Sequence, residues 1–406
     1  AHMAAQLSLR AWLALPAVLR AANCQLFHRA YDDVDEASIA SEHLFWAETL
    51  PVLPAMDPGK KPASTPEVSY TITPKAPGKR RIAYWSPDLR DHSVRYFFRP
   101  LLENHDRDRF EIVIYHDSPK RDSQTELIRQ KADHFYDVTP LPDQQLRALM
   151  ASHDLDVLVE MAGHTGENRI QLLADRYAPL QVSALGYPPT TGLTSIDCKI
   201  LDEHVVTPDA GRFYTERPIA LPGSFWCFDP LEEIPITPEP PVSRNGFITF
   251  GVIGNAAKTN PRMFRAWGEI LKRVEGSRIL ARSIGFADAD AVAHYRQLLA
   301  RHGLPIDRVD LAPPMSTGRE LLQAYGDIDI ILDTFPFNGG TTTCFAIHMG
   351  VPVVSRCGSS LLSRMGLSIL SNVGLHDWVS SSDEDYVRRA IAAAADIDFL
   401  RQFRSD

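Results

Sequence analysis

Cysteine is scarce in this chain of 406 residues, and its spacing excludes the usual cysteine-built sites. The five cysteines are Cys24, Cys198, Cys227, Cys344 and Cys357. Their number is odd, they are widely separated, and no CxxC pair or neighbouring histidine pair accompanies them, which argues against a disulfide framework and against a zinc site. We therefore expect reduced thiols, as in a cytoplasmic protein, and no metal centre.

The sequence also lacks an apolar run long enough to cross a membrane. Arg, Asn or Asp interrupts the longest apolar stretches well before about 18 residues. The opening Ala1, His2 and Met3 are typical of a cloning remnant and not of a signal peptide, so we expect the sequence to begin at an artificial boundary. These features predict a cytoplasmic protein without a membrane span.

An excess of positive charge is absent as well. The formal net charge is −9, which argues against a dedicated nucleic-acid binder, because such a domain is usually basic. A hydrophobic content of 44% with 23% charged residues is ordinary for a globular protein, and the length is sufficient for two domains. We find no repeat of solenoid period and no low-complexity tract.

Two proline-rich stretches divide the chain, at residues 51–80 and 229–245. Before the first of them, residues 1–50 have helical composition. Residues 81–228 and 246–406 each alternate apolar strands with amphipathic helices, which predicts two doubly wound, parallel α/β domains of Rossmann-like type. The strands are expected near residues 82–85, 110–115, 155–161 and 180–187, and then near 247–252, 277–281, 309–311, 328–332 and 351–354.

The segment from Leu332 to Pro352 has the pattern of a diphosphate-binding loop. An apolar strand ends at Asp333, a glycine turn follows, and a helix begins on three threonines. Glycines allow backbone N–H groups to approach a ligand, and a helix N-terminus attracts an anion. An ordinary strand-to-helix turn with a threonine cap is an equal alternative. The candidate residues are Asn338, Gly339, Gly340, Thr341, Thr342 and Thr343.

A second candidate loop, residues 251–261, follows the first strand of the second domain and presents Asn255 and Lys258 before a helix. A lysine there could neutralise a diphosphate leaving group, which gains negative charge when a sugar is transferred from it. A solvated surface lysine is an equal alternative. No DxD-type acidic pair stands nearby, so we predict no metal and no cofactor.

Polar loops should also follow the strands of the first domain, where an open α/β sheet binds ligands. His92 lies between Asp91 and Ser93 and could exchange a proton or hydrogen-bond a ligand, although a surface or capping histidine is the commoner case. The loops at 162–169 and 186–192 carry glycine and hydroxyl groups that could equally be turn chemistry. The candidates for a sugar and acceptor cleft are His92, His164, Gly186, Tyr187 and Pro188.

Six ordered motifs carry a resemblance to a known family: SPDLRDHSVRYF, GHTGENR, APLQVSALGYPPTTGL, LPGSFWCFDP, GNAAKTNP and LDTFPFNGGTTTC. From about residue 31 to residue 399, the chain resembles the catalytic region of the protein O-GlcNAc transferase and SPINDLY family. It resembles the SPINDLY branch more than the animal O-GlcNAc transferases, and it looks like the catalytic region of a bacterial SPINDLY-like glycosyltransferase. The resemblance implies a GT-B arrangement of two facing Rossmann-like domains with N-terminal helices, the first domain on the acceptor side and the second binding the nucleotide sugar.

The resemblance also implies an activity and partners. Members are inverting, metal-independent transferases that glycosylate Ser or Thr hydroxyls of proteins. UDP-GlcNAc is the favoured donor, and GDP-fucose follows closely. Lys258 and Asn255 are then expected at the donor, the loop with Gly340, Thr341 and Thr342 around its phosphates, and His92 at the sugar and reacting centre. Tetratricopeptide-type helices that select protein substrates are expected to precede this sequence.

Departures from the family pattern leave a second function open. Phe345 stands where the family usually has an Asp or Glu that contacts the donor ribose, and Leu321 and Ala324 stand where animal members have basic side chains near the base. The alternative is a catalytically weak or inactive module that binds nucleotide sugars or proteins on the same scaffold. A lipid or polysaccharide acceptor is less favoured, because no basic amphipathic helix indicates a membrane surface.

Overall fold

The computed structural model describes residues 19–29, 31, 34–50 and 75–405. Most of the predicted linker at 51–80 and the start of the predicted N-terminal helical segment therefore lie outside the described residues. The chain divides into two compact units. Within the described residues, 19–29, 34–50 and 75–229 form the N-terminal unit, and Tyr31 with residues 230–405 forms the C-terminal unit.

The N-terminal unit is built on a parallel sheet of seven strands in the order β3-β2-β1-β4-β5-β6-β7. The strands are β1 Arg80–Ser86, β2 Phe110–His116, β3 His134–Asp137, β4 Val157–Glu160, β5 Leu180–Ser183, β6 Cys198–Asp202 and β7 Arg217–Leu221. The helices are α1 Leu19–Arg29, α2 Glu36–Glu48, α3 Arg95–Glu103, α4 Ser123–Lys131 and α5 Asp143–Ser152, with 3-10 turns at Ile170–Ala174 and Ala210–Arg212.

The C-terminal unit contains a parallel sheet of six strands in the order β10-β9-β8-β11-β12-β13. The strands are β8 Thr249–Ile253, β9 Arg278–Arg282, β10 Val309–Ala312, β11 Ile330–Leu332, β12 Val353–Arg356 and β13 Val379–Ser380. The helices are α6 Pro241–Asn245, α7 Pro261–Arg273, α8 Ala289–Arg301, α9 Gly318–Ala324, α10 Thr341–His348, α11 Met365–Asn372, α12 Asp383–Ala395 and α13 Ile397–Ser405. Short 3-10 turns lie at Ala256–Lys258, Ile284–Ala287, Ile306–Arg308, Tyr325–Asp327, Leu361–Ser363 and His376–Trp378.

Helix α7 shows how the sequence fixes the elements beside the candidate loops. Asn260 caps the helix by accepting N–H bonds from Arg262 and Met263, and Pro261 occupies the first helical position, where a missing N–H costs nothing. Its buried residues recur at helical spacing and pack into the core of the C-terminal unit: Met263, Phe264, Ala266, Trp267, Ile270 and Leu271. The start of α7 is therefore held in place directly after the loop that carries Lys258.

The structure confirms the α/β prediction, since every strand pair in both sheets is parallel and helices alternate with strands. The predicted strands are all present, with shifts of a few residues at their ends. Strands β3, β6, β7 and β13 were not predicted, and the stretch predicted as a second linker ends in helix α6. Among the helices of the described residues, none combines the length and apolar content needed to cross a bilayer.

Candidate functional site

The strand order of the C-terminal sheet reverses between β8 and β11, which lie side by side. β8 connects onward to β9 on one side, and β11 connects to β12 on the other, so the loops that follow β8 and β11 diverge. Such a switch point opens a crevice at the carboxyl ends of the strands, where doubly wound sheets bind ligands. The loop with Asn255 and Lys258 and the loop at residues 333–340 both begin there.

Lys258 points across this crevice. The 3-10 turn that carries it is capped by Asn255, whose Oδ1 accepts the N–H of Ala257 at 3.0 Å. The Lys258 Nζ donates to the carbonyl oxygen of Asn338 at 2.9 Å and lies 3.7 Å from the centroid of the Phe337 ring. Burial lowers the pKa of Lys258 to about 8, against the attraction of the Asp333 carboxylate. The half-buried ammonium is therefore still mainly charged at pH 7.

Helix α10 begins at Thr341, three residues after Asn338, whose carbonyl oxygen accepts a hydrogen bond from the Lys258 ammonium, so the N-terminus of α10 adjoins the contact between the two loops. Gly340 occupies the cap position without a side-chain cap, so the first N–H groups have no intrahelical acceptor. Thr341 and Thr342 are half-buried, whereas Thr343 is buried. Free N–H groups and the positive end of the helix dipole together form an anion-binding arrangement.

The glycine turn before α10 is tied to a buried carboxylate. Asp333 accepts the N–H of Gly339 at 2.7 Å and the hydroxyl of Ser355 at 2.6 Å, and burial raises the pKa of Asp333 to about 6. A Cβ atom added to Gly339 would lie 2.5 Å from Thr343 Oγ1, so the turn accepts no larger residue without moving. Sequence reasoning identified Asp333 as the end of a strand but missed its role as the anchor of the turn.

Asn338 contributes its backbone to the site, while its side chain is used elsewhere. The amide nitrogen donates to the carbonyl oxygen of Thr334 at 2.8 Å, and Oδ1 accepts the N–H of Gly366 at 3.3 Å. The side chain is buried and braces the loop. The prediction named Asn338 as a donor-binding residue; in the structure, its carbonyl oxygen is the group that faces the crevice, where it meets Lys258.

Two aromatic residues beside Lys258 were not predicted. The Tyr31 ring lies 4.9 Å from the Phe337 ring, centroid to centroid, and the Tyr31 side chain hydrogen-bonds with that of Asn255. Phe337 stands within the LDTFPFNGG motif and could have been singled out there. Tyr31 belongs to a stretch far away in sequence, so no local pattern indicates it.

The three residues that depart from the family pattern, Phe345, Leu321 and Ala324, are buried or half-buried in the structure. Phe345 lies on α10 with 1% of its surface exposed, so it faces the interior. Ala324 is also buried, and Leu321 is half-buried on α9. These positions add no charge or hydrogen-bonding side chain to the crevice.

In the N-terminal unit, the strand order reverses between β1 and β4, and His92 lies on the loop after β1. Its Nδ1 accepts the N–H of Val94 at 3.4 Å and lies 3.7 Å from the Asp88 carboxylate, and 37% of the side chain is exposed. Burial lowers the pKa of His92, and the Asp88 carboxylate opposes this. The lowered pKa keeps the ring neutral at pH 7, and its Nδ1 faces both the Val94 N–H and the Asp88 carboxylate.

His164 and Tyr187 lie in the interior, beneath helices α1 and α2. His164 uses Nδ1 toward Asn23 Oδ1 at 2.9 Å and Nε2 toward the carbonyl oxygen of Thr191 at 2.8 Å. Tyr187 donates its hydroxyl to His43 Nε2 at 2.7 Å, because His43 Nδ1–H is directed to the carbonyl oxygen of Ile39. The sequence analysis named both residues for the sugar and acceptor cleft; in the structure both side chains are buried and their polar atoms contact protein groups.

Gly186 and Pro188 flank Tyr187 and are half-buried. A Cβ atom on Gly186 would overlap the carbonyl oxygen of Met161, so the glycine permits close packing of two loops. The Pro188 carbonyl oxygen accepts the Tyr214 hydroxyl at 3.3 Å. Both residues thus hold the loop after β5 in position.

A buried charged network lies under the same loops, and sequence reasoning missed it. Lys199 Nζ donates to Ser183 Oγ at 3.0 Å and to the Tyr187 carbonyl oxygen at 2.7 Å. Glu160 accepts the N–H groups of Ala162 and Gly163, and burial raises its pKa to about 7. A lysine and a glutamate within apolar strands were the available signal. The network fixes the loops after β4 and β5.

Known proteins resemble this chain in sequence. The model of glycosyl transferase family 41 matches residues 63–235 and 244–406. Probable UDP-N-acetylglucosamine–peptide N-acetylglucosaminyltransferases SPINDLY are 38% identical in Oryza sativa subsp. japonica and 37% identical in Solanum lycopersicum, each over 328 residues and 80% of this chain. The chain spans only about a third, 35%, of the length of these relatives.

A solved structure is similar over nearly the whole chain. A mutant O-GlcNAc transferase from Thermobaculum terrenum is 30% identical, with a TM-score of 0.87 over 99% of this chain and 74% of that one. This match confirms the predicted α/β fold of GT-B type. Because the family model matches most of this chain, including both α/β units, the chain belongs to glycosyl transferase family 41.

Proposed function

We propose that this chain transfers a sugar from a nucleoside diphosphate sugar to Ser or Thr hydroxyls of proteins, with inversion at the anomeric carbon and without a metal ion. The observation that carries the proposal is the half-buried Lys258 ammonium at the strand switch point of the C-terminal unit, next to the N-terminus of α10. UDP-GlcNAc is the first donor candidate, as the names of the relatives suggest. GDP-fucose is the second, because of the likeness to the SPINDLY branch.

The chemistry of the step explains the need for these groups. The acceptor oxygen attacks the anomeric carbon while the bond from that carbon to the diphosphate oxygen breaks, and negative charge grows on the leaving diphosphate. The Lys258 ammonium, the N–H groups of Thr341 and Thr342, and the helix dipole stabilise this charge. Hydrogen-bond donors of the protein that already point at the phosphates need little reorganisation during the transfer step. Positive groups of the protein thereby do the work that a metal ion does in other transferases.

His92 is proposed to hold the sugar or the acceptor, as the family resemblance implies. We assign the acceptor role to Nδ1, toward the Val94 N–H, so that Nε2 carries the ring hydrogen and donates it. A donor suits a sugar or acceptor oxygen, whereas a general base needs a free lone pair. We therefore assign His92 to positioning, and the hydroxyl proton of the acceptor passes to solvent water as the new bond forms.

A donor screen tests the proposal. The chain is incubated with UDP-GlcNAc, GDP-fucose and other nucleotide sugars, and both nucleotide binding and nucleotide release are measured, with transfer to protein followed by mass spectrometry. We expect one donor to bind and to be turned over, and Lys258→Ala to abolish turnover in a folded protein. If no donor binds, the proposal is wrong.

A second candidate is a non-catalytic module that binds a nucleotide sugar or a protein. The buried Phe345 favours it, because a phenyl ring supplies no acceptor for ribose hydroxyls, and a charge-assisted hydrogen bond there is worth about 1.5–3 kcal/mol. The same donor screen separates the two candidates. Binding without release or transfer under any donor and acceptor supports the module.

The cellular setting is part of the proposal. Reduced cysteines and the absence of a membrane-crossing helix among the described residues fit a transferase of the cytoplasm. We further propose that tetratricopeptide-type helices outside this sequence select the protein acceptor, as in the family. Fractionation of cells that express the whole protein, followed by capture of acceptors with and without those helices, tests both statements.

A further inference from the structure

The Lys258 ammonium contacts the Asn338 carbonyl oxygen and the face of the Phe337 ring. Its ring centroid lies 3.7 Å from Nζ, well inside the distance of about 6 Å within which a ring face attracts a cation. The carbonyl oxygen of Asn338 takes one N–H of the ammonium at 2.9 Å, and the ring face takes a second. An ammonium has three N–H groups, so one remains to be directed at a phosphate oxygen.

The ring itself is held on several sides. The Phe337 carbonyl oxygen accepts the Thr334 hydroxyl at 2.6 Å, which fixes the backbone of the loop. The Tyr31 ring packs against the Phe337 ring at 4.9 Å with an angle of 49° between the planes. The Tyr31 side chain also hydrogen-bonds with that of Asn255, whose Oδ1 caps the turn of Lys258. One tyrosine thus contacts the ring and the turn that together set the lysine.

The electrostatics explain why the ammonium needs such a partner. Lysine in a half-buried crevice tends to lose its proton, and burial here lowers its pKa to about 8. The Asp333 carboxylate opposes this loss, and the Phe337 ring face adds attraction for the charged form without a second negative charge beside the phosphates. A carboxylate in the place of Phe337 would neutralise the lysine and repel the donor.

We propose that Phe337 is a positioning residue, whose ring face, backed by Tyr31, keeps the Lys258 ammonium charged and aimed at the diphosphate of the donor. The inference rests on the proposed function, since it assigns a partner to the lysine of that site. It goes further, in that it assigns the task to an aromatic face and not to a hydrogen-bonding side chain.

Ring electronics provide a test that keeps the shape of the site. Phenylalanine carrying one, two or three fluorine atoms is introduced at position 337 of the full chain, and UDP and GDP binding is measured by calorimetry at pH 7. Fluorine withdraws charge from the ring face and weakens its attraction for a cation. We expect a stepwise loss of affinity, about tenfold across the series. Equal affinity throughout would overturn the proposal.

Conventional variants and controls accompany the series. Phe337→Tyr keeps the ring face and should bind UDP or GDP within about threefold of the wild type, whereas Phe337→Leu should bind about tenfold more weakly. In a Lys258→Met background, fluorination should have no effect, because the cation is gone. The same fluorinated residues at Phe45, which is 52% exposed in the N-terminal unit, should leave binding unchanged.

A second readout needs no nucleotide at all. The rate at which acetic anhydride labels Lys258, followed by peptide mass spectrometry across pH, reports the pKa of its amine. Fluorination should lower this pKa by roughly half a unit to one unit, because the ammonium loses a favourable partner. If the wild type bound no nucleotide, the proposed function would fail while this measurement still decided the role of Phe337. A constant pKa across the series would refute that role.

Discussion

Replacing Lys258 with methionine should weaken nucleotide binding and leave the protein at least as stable, because the charge that serves binding is unfavourable for the fold. Methionine keeps an unbranched side chain and removes the charge. A charge-assisted hydrogen bond from an ammonium to phosphate contributes about 1.5–3 kcal/mol. We therefore expect UDP and GDP to bind roughly 10 to 150 times more weakly at pH 7.

The pH dependence follows from the lowered pKa of Lys258, about 8. The Lys258 side chain is charged in about nine-tenths of the molecules at pH 7 and in about one-tenth at pH 9. The nucleotide affinity of the wild type should therefore fall roughly tenfold between these pH values. The Lys258→Met variant should show no such fall. Calorimetric titration with UDP and GDP at both pH values measures this directly.

Stability should change in the opposite sense. The folded pKa of Lys258 lies below its unfolded value of about 10.4, so folding favours the neutral form, and the charged form at pH 7 destabilises the protein. The full pKa shift of Lys258 would correspond to about 3 kcal/mol of unfolding free energy. Because the side chain is partly exposed and the substitution also removes its contacts with the ring and the carbonyl group, we expect Lys258→Met to raise the free energy of unfolding by about 1 kcal/mol. Wild-type stability should rise between about pH 8 and 10.4, and this rise should be absent in Lys258→Met.

A matched control is Lys272→Met, because Lys272 is exposed on the last turn of α7 in the same unit. It should alter neither affinity nor the pH profile. Two results would refute the reasoning about Lys258. One is nucleotide affinity within about threefold of the wild type in Lys258→Met; the other is persistence of the pH 7 to 9 loss in that variant.

Three further substitutions test other parts of the structure. Gly339→Ala should weaken UDP and GDP binding more than tenfold and destabilise the C-terminal unit by about 1–3 kcal/mol, because the added Cβ lies 2.5 Å from Thr343 Oγ1; unchanged calorimetry would contradict this. Tyr187→Phe leaves His43 Nε2 buried without its donor and should cost about 1–3 kcal/mol, read as loss of hydrogen-exchange protection confined to the N-terminal unit. Phe345→Glu should destabilise the C-terminal unit by about 3–5 kcal/mol in thermal unfolding, because it buries an unpaired carboxylate; a stable variant with higher nucleotide affinity would show instead that the position faces the ribose.

The fold class was predictable because buried parallel strands appear as apolar runs between amphipathic helices. The strands that escaped prediction depart from that pattern for physical reasons. β7 lies at a sheet edge, is half-exposed and contains Pro218, so it has neither a continuous apolar run nor strict alternation. β6 buries Lys199 among apolar neighbours, which interrupts the expected pattern. In both cases tertiary contacts decide the strand.

The loops of the candidate donor crevice could be predicted from the sequence. The contacts that their residues make with one another could not. A glycine turn and a lysine each follow a strand, and the rule that ligands bind at the switch point of a doubly wound sheet brings them together. The contacts of Lys258 with Phe337 and with Asn338 join residues about 80 positions apart, and Tyr31 is more distant still. Local sequence patterns contain no information about such contacts.

The contrast between Lys258 and His164 shows what separates a candidate ligand group from a structural brace. Both follow a parallel strand in a glycine-containing loop, and the sequence analysis named Lys258 as a donor-site residue and His164 as a residue of the sugar and acceptor cleft. In the structure both ring nitrogens of His164 contact protein oxygens and the ring is buried, so a ligand would have to displace an existing partner. Lys258 is half-buried, and the Asn338 carbonyl oxygen and the Phe337 ring contact its ammonium, which has three N–H groups. Residue type and loop position indicate candidate ligand-binding residues. Whether such a residue can bind a ligand depends on whether it has an N–H or O–H group that no protein atom already accepts.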